Sequence, residues 1–199
     1  MESIRVMRPL FQAEEDGSIP ISTLHARDLK FGECQKTLAV TLTLRWHSRL
    51  PNTQQGPWEF AFAAEYNGIV YGVALCNTPS GRCLPQHWIE LRRMALSPDA
   101  PKNSASRFLS WMARWFQKHY PQREMLISYQ DTAVHRGTIY KAAGWIKGPT
   151  SKARVRDRSK VRIGTTRFYR SNINGQQTDA SPKTRWEYRL THPLAQRTR

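Results

Sequence analysis

Asp131 closes the short apolar run Glu124–Tyr129 (EMLISY), in the string SYQDT. A carboxylate at a strand end beside a cleft can take a proton from a bound nucleophile, or accept a hydrogen bond from it as a new bond forms. An aspartate at such a junction is about as commonly an Asx-turn or helix-capping residue. Tyr140, in GTIY, is expected on a helix over the same cleft, where its phenol could donate a hydrogen bond. Upstream lies PKNSASR, Pro101–Arg107. The unpaired amides of a helix's first turn, with the helix dipole behind them, bind phosphate groups. Here Asn103 or Ser104 offers a capping oxygen, Ser104 and Ser106 add hydroxyl donors, and Lys102 and Arg107 add charge. An ordinary capped helix beside a basic surface uses the same residues. Arg93 is the remaining unusual side chain: if Ile89, Leu91 and Arg93 form a buried face, the arginine needs a partner, and Asp131 or a cofactor phosphate would serve. Glu90 would then pair with Arg92 on the opposite face.

These residues fall on a strand, helix, strand, helix series. Trp88–Leu96 alternates apolar and polar residues up to Met94, the pattern of a half-buried strand. Asp99, Ala100 and Pro101 break it, and Phe108, Leu109, Trp111, Met112, Trp115 and Phe116 then recur at helical spacing as one wide apolar stripe. EMLISY follows as a second strand, and a small helix opens at Gly137 and stops at Gly144, which suits the left-handed position after a helix. Earlier in the chain, Trp58–Leu75 reads as two strands joined by Asn67-Gly68, a strong hairpin signal because both turn positions require positive φ. Ser3–Phe11 is an expected edge strand, Asp16–Pro20 a turn, Gly32–Leu44 a helix weakened by β-branched residues, and Trp46–Pro57 a loop.

ELRRMALS, APKNSASR, KHYP, SYQDT and GTIYKAAGW, in this order and spacing, resemble the Mom DNA-modification proteins of Mu-like bacteriophages. The resemblance is dense over Ile89–Trp145 and thinner over Trp46–Pro79. It implies an α/β, GNAT-like (acyltransferase-type) mixed sheet, antiparallel in its first half and helix-flanked in its second. It also implies conversion of adenine in double-stranded phage DNA to an N6-carbamoylmethyl derivative that shields the genome from host restriction. An acetyl-CoA-like thioester and an iron ion are the cofactors it brings with it. The family's SY-x-DT pattern points to Asp131, and its helix-start serine matches Ser106, which would bind cofactor phosphate, since no histidine lies at a readable triad spacing. Where the family shows a His-Tyr-Ser run, this chain has Trp46, His47 and Ser48. His47 therefore replaces either the histidine or the tyrosine, as base, metal ligand or packing residue. A duplex adenine must be extruded and held between apolar or aromatic faces; Trp46, Trp88, Tyr129, Tyr140 and Trp145 are the candidates.

With 199 residues the chain has room for one domain with a proper core, and no apolar run approaches a membrane span. MESIRVMRPLFQ lacks the apolar region of a secretory signal, so a cytoplasmic protein is expected, in the host cell if phage-encoded. Cys34, Cys76 and Cys83 form no CxxC pair and read as buried small apolar residues. The net charge of +16 is unevenly spread: residues 1–146 carry 17 Lys/Arg against 12 Asp/Glu, residues 147–199 carry 14 against 3. Arg154, Arg156, Arg158, Lys160 and Arg162 occupy alternate positions and, on a strand, would form a basic ridge for DNA; a solvated tail is the plain alternative. Residues 1–150 are thus read as the catalytic core and 151–199 as a basic segment that completes the sheet and contacts DNA. Oligomeric state stays open, a dimer included. Two other readings stand beside the DNA-modifying enzyme. One is an N-acetyltransferase acting on a protein, tRNA or small-molecule amine, whose usual glycine-containing pyrophosphate loop PKNSASR lacks. The other is a non-catalytic DNA-binding module, for which no helix-turn-helix or zinc motif speaks.

Overall fold

The structure, a computed structural model, describes residues 24–47, 56–79, 81, 83–153 and 181–190. The N-terminal strand and turn, Ser48, and the Arg154–Arg162 ridge lie outside the described residues.

Seven strands form a single sheet in the order β1-β2-β3-β4-β5-β7-β6. β1 (Lys30–Glu33) is followed by α1 (Lys36–Trp46), so the helix expected from Gly32 begins later and Gly32 is strand. β2 (Phe60–Tyr66) and β3 (Ile69–Asn77) form the hairpin read from Asn67-Gly68, with φ of 50° and 82° at the two turn residues. β3 pairs antiparallel with β4 (Ile89–Leu96). α2 (Ser104–His119) then crosses over to β5 (Met125–Asp131), which pairs with β4 in parallel. α3 (Thr138–Ala142) starts at Gly137 and ends before Gly144, both in the left-handed region. β6 (Ile146–Ser151) lies at the edge, and β7 (Lys183–Arg189) inserts between β5 and β6. The sheet is therefore mixed, antiparallel apart from the β4/β5 pair.

Each face of the sheet has its own core. On one, Phe108, Leu109, Met112, Ala113 and Phe116 of α2 join Phe62, Ile89, Leu91, Leu126, Tyr140, Trp145 and Trp186. Trp111 and Trp115 of the same stripe are only partly buried, and Trp115 meets Phe62 edge-on at 4.8 Å. On the other face, Ala39 and Leu42 of α1 pack on Trp58, Ala61, Ala63, Val73, Leu75 and Ala95. Of the cysteines, Cys76 is buried as expected, Cys34 is half-buried and Cys83 is exposed, so the third is not a core residue. Among the described residues no helix is long and apolar enough to cross a membrane.

Candidate active site at the gap between two parallel strands

β4 and β5 pair over three positions only, Ile89 with Leu126, Glu90 with Ile127 and Leu91 with Ser128. Beyond them, Arg92–Leu96 and Tyr129–Asp131 share no ladder, which opens a gap at the strands' C-terminal ends. β4 also carries a bulge: Leu75 pairs with Arg93 and Cys76 with Leu91, leaving Arg92 as the extra residue. The bulge resets the side-chain alternation. Ile89, Leu91 and Met94 face the α2 core while Ala95 faces the α1 core. Arg93, two residues from Ala95, accordingly lies on the α1 face and not with Ile89 and Leu91 as alternation predicted. Its Nη1 donates to Arg92 O at 2.6 Å. Arg92 faces Glu90 at 3.8 Å, as expected, and its guanidinium lies 5.8 Å from the Trp58 ring centre.

Two sides of the gap are differently furnished. On the α2/α3 side, Tyr140 is buried, its hydroxyl 2.9 Å from Ser128 Oγ, which donates to Leu91 O at 3.0 Å. That chain sits where the β4/β5 ladder ends. Burial raises the phenol above its ordinary value, opposed by the Ser128 hydrogen bond, so the group stays protonated at neutral pH. Its ring is stacked on Trp186 at 5.3 Å and meets Trp145 at 5.5 Å. Both of these partners are core residues, and with them Tyr140 and Trp145 leave the set of rings open to a substrate base.

On the α1 side stand Asp131, Lys183, Arg93 and His47. Asp131 Oδ1 accepts from Ala133 N at 3.1 Å, an Asx-turn, and from Ser181 Oγ at 2.6 Å; Oδ2 lies 3.4 Å from Lys183 Nζ. These contacts are those of the Asx-turn reading, made where β5 runs out of its ladder with β4. By alternation, Asp131 and Ser128 are on opposite faces of β5, so Asp131 and Tyr140 approach from opposite sides and do not share one cleft wall. His47 caps the C-terminus of α1 through its N–H to Thr43 O. Burial, then the charges of Arg93, His135 and Lys183, pushes its imidazole down to about 4, so it is neutral at physiological pH. α1 itself packs across β2, β3 and β4 on this side.

The α2 tip forms the other part of the site. Asn103 is the N-cap, in the left-handed region, but its side chain makes no capping bond and no acidic residue occupies the first turn. Ser104 N–H bonds Pro101 O and Arg107 N–H bonds Asn103 O, leaving the Ala105 and Ser106 amides without an acceptor among the described residues. Ser104 is buried and its hydroxyl donates to Pro101 O at 2.6 Å, which turns it away from any bound anion. Ser106 Oγ likewise donates to Asn103 O, at 3.1 Å. An open groove of about 350 Å³ begins here, bounded by Asn103, Ser106, Arg107, Arg114, Arg27 and Ala142. Lys102 is exposed and outside it, whereas Arg27 and Arg114 were not foreseen.

Sequence reasoning also missed Ser128, Gln130, Lys183 and Trp186. Gln130 is buried, donates to His135 O and accepts from Trp186 Nε1 at 2.6 Å, fixing the turn between Asp131 and α3. The available signal was the alternation of Thr184, Trp186 and Tyr188, which marks β7.

A family profile described as the Mom protein family matches residues 28–198. The chain belongs to the Mom protein family. No curated protein matches this Mom-family chain. Solved structures similar to it include a Bacillus subtilis acetyltransferase in complex with CoA, with TM-score 0.54, 10% identity, and coverage of 81% of this chain and 97% of that one. The ribosomal-protein-S18-alanine N-acetyltransferase of Escherichia coli gives TM-score 0.56, 13% identity, and coverage of 82% and 95%. A GNAT superfamily phosphinothricin acetyltransferase from Sinorhizobium meliloti, in complex with AcCoA, gives 0.55, 12%, and 86% and 94%. At these identities the likeness establishes the GNAT-like fold of the Mom-family chain.

Proposed function

We propose that this Mom-family protein is a transferase that modifies the exocyclic N6 of adenine in double-stranded DNA, giving the N6-carbamoylmethyl base and so shielding a phage genome from restriction in the host cytoplasm. The observation that supports this best is the gap itself, with a proton donor on one side, a carboxylate and a neutral imidazole on the other, and an uncapped helix tip beside it.

The residues present fit a CoA-type thioester. The open amides of Ala105 and Ser106, with Arg107, Arg114 and Arg27 around the groove, would hold its phosphates. Such a group supplies an activated carbon and a thiolate leaving group. Acyl transfer from it to N6 would form one N–C bond, break the thioester C–S bond and release one proton from N6; conversion of that acyl group into carbamoylmethyl, with its amide nitrogen, is assigned to none of the described residues. In this reading Asp131, or the uncharged imidazole of His47, takes that proton and the Tyr140 hydroxyl, hydrogen-bonded to Ser128, gives one to the departing sulfur. Arg93 and Lys183 add positive charge on the side from which a DNA phosphate or the developing anion would approach. Iron does not fit as well: among the described residues no group of three His, Cys, Asp or Glu side chains could hold a metal ion, and no step is assigned to one. Arg154, Arg156, Arg158, Lys160 and Arg162 are proposed as further DNA contacts on charge alone.

An N-acetyltransferase on a protein, tRNA or small-molecule amine is the second reading, favoured by the fold likeness to enzymes such as that of Escherichia coli. Mass analysis of nucleosides from DNA of cells expressing the chain decides between them. A deoxyadenosine heavier by one carbamoylmethyl group is expected; unmodified DNA together with CoA binding would establish the second reading instead. Ser106→Asp tests the donor site separately. A carboxylate there suits the helix dipole and should leave folding intact, yet weaken CoA binding roughly tenfold or more by repelling phosphate.

A further inference from the structure

Five large hydrophobic side chains are exposed among the described residues: Tyr66, Ile69, Tyr129, Val134 and Ile146. Tyr66 and Ile69 flank the hairpin turn and Ile146 opens the edge strand, but Tyr129 and Val134 bracket Asp131 in sequence. Tyr129, 38% exposed, shares a face of β5 with Asp131, and residues two apart on a strand are about 7 Å apart. That face belongs to the α1 side of the sheet, where α1 packs over β2, β3 and β4. Next to it on β7, Arg185 pairs with Tyr129 and Lys183 with Asp131. Arg185 Nε is held by Glu187 at 2.6 Å, and its guanidinium lies 5.9 Å from the Trp88 ring centre. Arg93 borders the same strip, so Arg93, Lys183 and Arg185 stand there against Asp131 and Glu187.

The other aromatic candidates are excluded by burial or use. Tyr140 and Trp145 are core residues, and Trp46 and Trp88 are only half-exposed, Trp46 packing against the α1 core. Among the described residues, Tyr129 is the ring with an open face next to the carboxylate. A ring on an open sheet face, flanked by cations, is the arrangement that accepts a nucleic-acid base: the ring stacks, the cations meet the backbone, and any base is tolerated.

We propose that Tyr129 is the platform on which the extruded adenine rests, with Lys183 and Arg185 contacting the flanking phosphates. The proposal rests on the DNA-modifying reading above and names the surface by which that substrate is held.

The test compares two duplexes that differ at one position, an adenine opposite a mismatched base and an abasic site in its place, by fluorescence anisotropy at fixed salt. Wild-type protein should prefer the adenine duplex about 5- to 100-fold, the range that stacking of one base confers. Tyr129→Phe and Tyr129→Trp should keep that preference, while Tyr129→Ala and Tyr129→Leu should abolish it. Because the side chain is exposed, all four variants should melt within a few degrees of wild type. Retention of the preference by both Tyr129→Ala and Tyr129→Leu, or its loss in Tyr129→Phe, overturns the platform while leaving the DNA reading standing. Failure of the wild type to bind either duplex overturns the DNA reading and the platform together.

Discussion

Asp131 does two things at once, and the difference between them is measurable. Its Oδ1 holds Ala133 N–H and Ser181 Oγ, while its charge meets Lys183. Asparagine preserves an acceptor oxygen but cannot take a proton. Asp131→Asn should therefore abolish modification, by about a hundredfold or more, with DNA affinity changed by less than about threefold, as read by nucleoside mass analysis and anisotropy. Asp131→Ala should in addition lower the melting temperature. His47 gives a prediction in pH. Above its unfolded value of 6.5 the imidazole is neutral in both states; as pH falls toward about 4 the unfolded chain binds a proton that the folded one refuses. Stability should thus decline through that window, by about 3 kcal/mol at most, and be regained as pH rises. Urea unfolding of His47→Gln across the same range should show a flatter acid limb. Positions of this kind were partly legible: Asp131 ends β5 and Tyr140 lies in α3, elements whose own patterns are clear, but the two approach from opposite faces of the sheet and not over one cleft as read. Arg93 was placed on the wrong face because a bulge adds one residue to β4, and nothing in the alternation of ELRRMAL announces it.

Elements were read well where local pattern decides them and poorly where a distant partner does. The α2 stripe, the Asn67-Gly68 hairpin, β4, β5 and the glycine-bounded α3 needed only local chemistry. β1 and β7 are short strands whose partners lie far along the chain, and Gly32 was assigned to a helix because the four residues of β1 are too few to show a strand pattern of their own. β7 is the costlier omission, because Lys183 and Trp186 reach the site from it and Ser181 from just before it. Gly137 shows how closely the elements fit: at φ +73°, a Cβ there would come within 2.5 Å of Gln130 Oε1 and of the Trp186 ring. Gly137→Ala should therefore destabilise the protein by about 1–3 kcal/mol, through both backbone strain and the displaced clamp. It should also slow modification, as Tyr140 is carried by the helix that Gly137 opens. Thermal melting and single-turnover rates measured on the same preparation check the two effects.

Across the whole molecule, charge and topology make separate demands on the last quarter of the chain. Replacing Arg154, Arg156, Arg158, Lys160 and Arg162 together by alanine should lower DNA affinity and flatten its dependence on salt, by about 0.9 in logarithmic slope for each phosphate left unneutralised. Melting temperature should hardly move, because this substitution leaves β7 in place. The slope is obtained by titrating one duplex at several ionic strengths, and an unchanged slope would show that these side chains bind no phosphate. Composition made the basic excess plain, while the expectation that residues 151–199 complete the sheet named no strand within them. β7 runs beside β5 along seven residues, from Met125 opposite Arg189 to Asp131 opposite Lys183.

That return path orders events in time. Ser181 and Lys183 join Asp131 from fifty and fifty-two positions downstream, so a nascent polypeptide leaving the ribosome has its acid in place long before the groups that fix it. On the proposed role of Asp131, products terminated ahead of β7 are expected to lack modifying activity, because they lack the groups that hold its carboxylate.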